Sequence, residues 1–254
     1  MRSGRSRVDE KILEGFLTNE TSFLTAEEVK ALVGTMRITV EELIAQLVPW
    51  IKNRAVVPVS KFKVGAVVRG NSGNLYLGVN IEFANQPLMS TIHAEQAALA
   101  NAMSHGETGI RALAVNEPPC GHCRQFLNEL NTADELTVHI VGKTDKSLND
   151  LLPDSFGPLN LKKGIRLLDP LDNKLRIDAE NPDQLVTEAL QAANASYAPY
   201  SESLAGVAIK TKNGQIFRGN YMENAAYNPS LLPLQAALAN LIIAGRKFPE
   251  IEKA

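Results

Sequence analysis

The sequence predicts a layered α/β fold that is present twice. Three observations lead there: a hairpin signal followed by alternating helices and strands, a helical segment that recurs almost unchanged, and glycines that recur at one constant offset.

Thr25-Ala26-Glu27-Glu28 has the form of a capping box, and apolar residues from Val40 to Trp50 recur at helical spacing, so residues 25–52 are expected to be helical. The basic start, Met1 to Arg7, is followed by no apolar run and reads as a ragged beginning rather than a signal peptide. Residues 64–68 and 75–79 read as strands, and Asn71-Ser72-Gly73-Asn74 between them is a turn signal, so they should pair as a hairpin. Residues 93–103, rich in Ala and Leu, read as a buried helix. A strand over 111–116, a helix over 121–130 and a strand over 136–141 follow. The Pro- and Gly-punctuated stretch 151–164 and the segment 167–181 read as linker.

The repeat is the most informative feature. Glu95-Gln96-Ala97-Ala98-Leu99-Ala100-Asn101 returns as Leu234-Gln235-Ala236-Ala237-Leu238-Ala239-Asn240, six of seven residues identical. Upstream, Ser60, Gly65, Gly73, Gly78 and Glu82 return as Ser201, Gly206, Gly214, Gly219 and Glu223. Glycine at strand and turn positions reflects backbone geometry rather than chemistry, so matched glycines point to two copies of one fold.

Composition narrows the function. Of 254 residues, 44% are hydrophobic and 21% charged, the balance of a globular chain, and no run of 18 apolar residues suggests a membrane span. A net charge of −2 argues against wholesale capture of nucleic acid. Two cysteines, Cys120 and Cys123, disfavour a disulfide-stapled secreted domain and fit a reducing, cytoplasmic location.

Those cysteines belong to the strongest chemical signal: His93-Ala94-Glu95, then Pro119-Cys120-Gly121-His122-Cys123. One His and two Cys supply three ligands to Zn²⁺ and leave the fourth tetrahedral position for water, whose pKa the metal lowers towards neutrality. Cys120 and Cys123 share one face at a helix start, which favours thiolates. Glu95, two residues from His93, can reach such a water without being a ligand and would shuttle its proton. His122, between the cysteines, is expected not to be a ligand. This order, H-x-E followed by P-C-x-x-C, is the signature of zinc-dependent nucleobase deaminases.

With Phe62-Lys63-Val64-Gly65-Ala66, Gly78-Val79-Asn80-Ile81-Glu82, Arg124-Gln125 and Leu151-Leu152-Pro153-Asp154-Ser155-Phe156-Gly157-Pro158, these motifs resemble the cytidine deaminases of the two-domain, homodimeric kind, from about Arg37 to the end of the chain. The resemblance implies a three-layer fold, a mixed sheet with helices on both faces, in two copies. It implies one zinc per chain and hydrolysis of cytidine and deoxycytidine to uridine and deoxyuridine by zinc-bound hydroxide, in pyrimidine salvage. It further implies substrate contacts from Phe62, packed on the pyrimidine, from Asn80 and Glu82, on the ribose, and from Ile81 and Ala94. Phe156 would reach the partner's active site in the homodimer. A carboxylate and an amide suit sugar hydroxyls, and Glu82 would repel a phosphate, so a free nucleoside is the expected substrate, with neither nucleic acid nor membrane as a partner.

Aligned on the shared helix, Leu232 stands opposite His93 and Leu234 opposite Glu95. The second copy is therefore expected to be degenerate and non-catalytic, with Tyr221 to Pro229 covering a partner's active site. It is also expected to be C-terminally shortened, lacking the strand, CxxC helix and strand that follow the repeated helix in the first copy. The expected organisation is an N-terminal helical extension over 1–36, a catalytic zinc deaminase domain over 37–160, a linker over 161–180 and the degenerate domain over 181–254. Two competing readings stand beside this one: a deaminase of a free base, nucleotide or nucleic acid, which a basic groove would favour, and a non-enzymatic zinc module, which a fourth protein ligand would favour.

Overall fold

The computed structural model describes residues 7–178 and 181–254. The expected helix over 25–52 is two helices, α2 (Ala26–Met36) and α3 (Val40–Ile51), preceded by α1 (Arg7–Phe16) and a short strand β1 (Phe23–Leu24). The break has a local cause. Arg37 adopts the left-handed conformation (φ 54°), and Thr39 opens α3 with a second capping box closed by Glu42, as Thr25 and Glu28 do for α2. Each such cap is worth about 1 kcal/mol.

The hairpin forms as expected, from β2 (Gly65–Gly70) and β3 (Leu75–Val79), and Gly73 supplies the positive φ of its turn. Helix α4 (Ala94–Ser104), β4 (Ile110–Val115), α5 (Gly121–Leu127), β5 (Thr137–Ile140), β6 (Lys146–Ser147) and α6 (Leu148–Leu151) complete a six-stranded sheet of order β1-β3-β2-β4-β5-β6. It is mixed: β4 and β5 run parallel and the other pairs antiparallel. In the register, Gly65 pairs with Val79 and Gly78 with Ala66, so the two glycines face opposite sides. A Cβ on Gly65 would meet Val48 and Lys52 at the end of α3; one on Gly78 would run into the backbone of Ala94 and Ala98 in α4. Helices therefore cover both faces of the sheet.

The second unit repeats this plan. Helix α7 (Gln184–Asn194), the hairpin β7 (Gly206–Thr211) and β8 (Ile216–Asn220), helix α8 (Pro233–Ile243) and β9 (Ile251–Lys253) form a three-stranded sheet of order β8-β7-β9. Gly219 meets α8 as Gly78 meets α4: a Cβ there would strike the backbone of Pro233 and Ala237. Even irregularities recur. The ladder from β2 to β4 slips between Arg69 and Gly70, and that from β7 to β9 between Lys210 and Thr211. The bridges Val56–Ile81–Ile92 return as Tyr197–Met222–Leu231.

This corrects one expectation. The strand after the repeated helix is present: β9 occupies against β7 the place β4 holds against β2. The described residues contain no second-unit counterpart of α5 or β5. Buried residues of both units join in one apolar cluster, with α4 packed on α8. No described helix is long and apolar enough to cross a membrane.

Candidate active site

Two helix starts meet on one face of the first sheet. His93 is the N-cap of α4 and Cys120 the N-cap of α5, both in extended conformation, so their side chains leave the helices at the open end. Cys123 lies one turn into α5 and is fully buried, while Cys120 is exposed. His93 Nδ1 stands 3.5 Å from Cys120 Sγ and 3.3 Å from Cys123 Sγ, and the two sulfurs are 3.7 Å apart. A tetrahedron with ordinary Zn–N and Zn–S bonds has edges of about 3.6 Å between N and S and about 3.8 Å between sulfurs. The triad matches these edges within a few tenths of an ångström, so the donor set fits zinc.

The charges suit a cation. Hydrogen bonds between the Cys120 sulfur and both Cys123 and His93 hold the Cys120 thiol down at about 3. Cys123, bonded to Cys120 and buried, is pushed well up. His93 is raised, chiefly by its hydrogen bond to Cys120. Glu95, in the first turn of α4, is only 4% exposed, and burial raises its carboxyl above the usual range. It lies within hydrogen-bonding reach of Cys123. His122 is not part of the ligand cluster; it stacks on the His93 ring, centroids 4.9 Å apart. Arg124 ties α5 down through the carbonyls of Pro119 and Leu151, each at 2.8 Å.

The expected substrate residues flank this cluster. Ile81 is buried and its backbone pairs with Ile92, which lays the Asn80–Glu82 segment beside the residue before His93. Ala94 is buried in the first turn of α4. Glu82 Oε2 accepts from the amides of Val59 and Ser60, each at 2.9 Å, and Oε1 accepts from the Ser60 hydroxyl. Burial pushes the Glu82 carboxyl up, but these bonds outweigh it and leave the group below its usual range. Asn80 accepts from the amide of Val64 and donates to the carbonyl of Phe62, both at 2.9 Å, fixing the loop that presents Phe62, which is 55% exposed. Phe156 is exposed, and its carbonyl accepts from Gln125 and Asn128 at the end of α5.

Sequence reasoning missed two residues here. Ser60 is the partner of Glu82, and the signal was present: Ser60 and Glu82 recur together as Ser201 and Glu223. Glu129, after α5, is fully buried and accepts from Tyr197 and Tyr200 hydroxyls (2.8 and 2.9 Å) and from the Ala225 amide (2.6 Å). Nothing in its local sequence marks it, because all three donors come from the second unit. The Tyr221–Pro229 segment likewise lies on this chain's own catalytic helices. Asn224 donates to the Gln125 carbonyl at 2.8 Å, and the Pro229 carbonyl accepts from Gln96 at 2.9 Å.

The family described as the cytidine and deoxycytidylate deaminase zinc-binding region matches residues 39–139 and again residues 148–254. A cytidine deaminase of Proteus mirabilis (strain HI4320) is 48% identical over 233 residues, 92% of this chain and 79% of the relative. One of Yersinia pestis (strain Pestoides F) is 47% identical over 244 residues, 95% of this chain and 82% of the relative. The solved cytidine deaminase from Mycobacterium tuberculosis is 32% identical, covers 45% of this chain and 95% of its own, and has a TM-score of 0.42. With two matched zinc-binding regions and relatives of this identity along most of its length, the chain belongs to the cytidine deaminase family.

Proposed function

We propose that the chain hydrolyses cytidine and deoxycytidine to uridine and deoxyuridine, releasing ammonia. The observation that carries this is the convergence of His93, Cys120 and Cys123 at zinc-ligand spacing with the buried Glu95 beside them. When bound there, zinc supplies Lewis acidity that brings the pKa of a water down towards neutrality. Glu95 takes the proton of the attacking water, passes it to N3 of the cytosine ring and carries a proton to the amine leaving C4. Its burial raises the carboxyl above its usual range, which suits a group that both accepts and returns a proton.

Phe62 offers an exposed ring for the pyrimidine. A carboxylate has about four acceptor positions. The one that Val59 and Ser60 leave open on Glu82 receives a ribose hydroxyl, and Asn80 contributes its remaining N–H. Ile81 and Ala94 line the same place through their backbone. Glu82 also disfavours a phosphorylated sugar, so the substrate is the free nucleoside. The exposed apolar side chains of Phe156, Leu159 and Ile165 support a homodimer in which Phe156 meets the partner's site. Two free cysteines committed to a metal support a reducing, cytoplasmic setting. The division into extension (1–36), catalytic domain (37–160), linker (161–180) and degenerate domain (181–254) belongs to this reading.

The test is the ultraviolet spectrum of cytidine incubated with zinc-loaded protein, in parallel with CMP and cytosine. Conversion of cytidine to uridine, faster than the other two, is expected. An unchanged cytidine spectrum, or a preference for CMP, would defeat the reading.

A further inference from the structure

Where the second unit has lost its metal chemistry it has kept a cleft. A cavity of about 1100 Å³ lies over Leu232 and Leu234, the residues that stand in place of His93 and Glu95. Both leucines are about half exposed, an apolar floor in a concave site. At one end of the cleft sits Glu223, only 4% exposed. Its Oε2 accepts from the amides of Tyr200 (2.8 Å) and Ser201 (3.2 Å), and its Oε1 accepts from the Ser201 hydroxyl. This is the arrangement around Glu82, atom for atom. The Ser230 hydroxyl lines the cleft for a ring edge, Asn224 is fully buried with its side-chain amide bonded to Gln125 and Ala226, and Tyr221 takes the place of Asn80.

We propose that this cleft is a second, non-catalytic binding site for an uncharged, ribosyl-bearing ligand of the nucleoside class. The proposal rests on the reading of Glu82 as the sugar-binding carboxylate. The retained carboxylate takes one sugar hydroxyl at the acceptor position that Tyr200 and Ser201 leave open, the leucine floor takes the face of the base, and the lost metal and proton carrier leave the ligand unreacted. A phosphorylated ligand is excluded by the buried charge of Glu223.

The site is walled by both units. Its far wall runs along the first unit through Gln86 and Ser90, three residues before His93. Gln235, in the cleft, donates to the Ser90 carbonyl at 3.1 Å. Tyr200 spans the gap: its amide holds Glu223 and its hydroxyl holds Glu129 at the end of the metal-binding helix.

Equilibrium dialysis of uridine against the zinc-loaded full chain tests this, since uridine is not consumed by the proposed reaction. Two equivalents per chain are expected. Leu234→Phe, which fills the floor, and Glu223→Gln should each weaken one of them by at least about tenfold, while Glu82→Gln removes the other. If Glu223→Gln does not fold, Leu234→Phe decides, because that side chain is half exposed and can be enlarged. A single equivalent, untouched by Leu234→Phe, overturns the proposal and leaves the catalytic reading intact. A single equivalent abolished by Leu234→Phe but not by Glu82→Gln removes Glu82 from sugar binding and overturns the reading on which the proposal rests.

Discussion

Gln96 and Gln235 make the same pair of hydrogen bonds, each into the other's unit. Gln96 donates from Nε2 to the Pro229 carbonyl at 2.9 Å, and Gln235 to the Ser90 carbonyl at 3.1 Å. Each side-chain oxygen accepts from its own helix's N-cap amide, that of His93 at 3.4 Å and that of Leu232 at 3.0 Å. The two glutamines thus join helix starts and inter-unit loops around an approximate two-fold relation. Gln96 is 1% exposed, so Gln96→Leu leaves a buried carbonyl without its donor and should cost about 1–3 kcal/mol. Gln235→Leu, at a half-buried position, should cost less. Urea unfolding of both variants reads the difference.

Glu95→Gln should keep its zinc and lose about 10²- to 10⁴-fold in turnover, because it removes a proton carrier and no ligand. Metal analysis beside steady-state rates checks both halves. Undiminished turnover would remove Glu95 from proton transfer.

Zinc affinity should rise with pH. In the metal-free site Cys120 is already a thiolate, with its thiol held at about 3, while Cys123 keeps its proton. Zinc takes both sulfurs as thiolates, so binding expels the Cys123 proton, and affinity should grow about tenfold per pH unit above the histidine range. Below the raised pKa of His93 a second proton must leave, and the dependence should steepen to about a hundredfold per unit. Chelator competition across acid and neutral buffers measures both slopes.

Glu129→Ala should destabilise the chain by about 3–5 kcal/mol, since it leaves the Tyr197 and Tyr200 hydroxyls and the Ala225 amide without their acceptor and opens a cavity. Tyr200→Phe removes one donor and should cost about 1 kcal/mol. Denaturant midpoints at constant slope would confirm the ranking.

Gly219→Ala should destabilise about as much as Gly78→Ala, on the order of 3 kcal/mol, because either Cβ meets helix backbone that cannot yield as a side chain would. Gly219→Ala should keep the zinc stoichiometry of the parent. Thermal unfolding and metal content, measured together, separate the two effects.

The sequence was most legible where chemistry or backbone geometry restricts the residue. The His93–Glu95 and Cys120–Cys123 pairs announced the metal centre, and the hairpin around Gly73 lies where its turn residues put it. The recurrence of Gly65 and Gly78 as Gly206 and Gly219 revealed the duplication, for a reason visible in the packing of each strand on its helix. What could not be read depends on distant partners. Strand β1 exists because it pairs with Tyr76 and Leu75 on β3; alone, two residues carry no strand signal. Strand β9, three residues long, is likewise defined by β7. The break at Arg37 was hidden because apolar spacing runs on both sides of it, and only the second capping box at Thr39 marks it. Glu129 was invisible because its meaning lies in Tyr197, Tyr200 and Ala225.

Glu129 also sets an order of events during synthesis. The helix start bearing Cys120 and Cys123 leaves the ribosome well before the last donor to this carboxylate, which lies 96 residues downstream. At ordinary elongation rates that interval is about 5–20 s. Throughout it the nascent first half must keep Glu129 hydrated, so the end of the metal-binding helix cannot close until its degenerate twin has arrived.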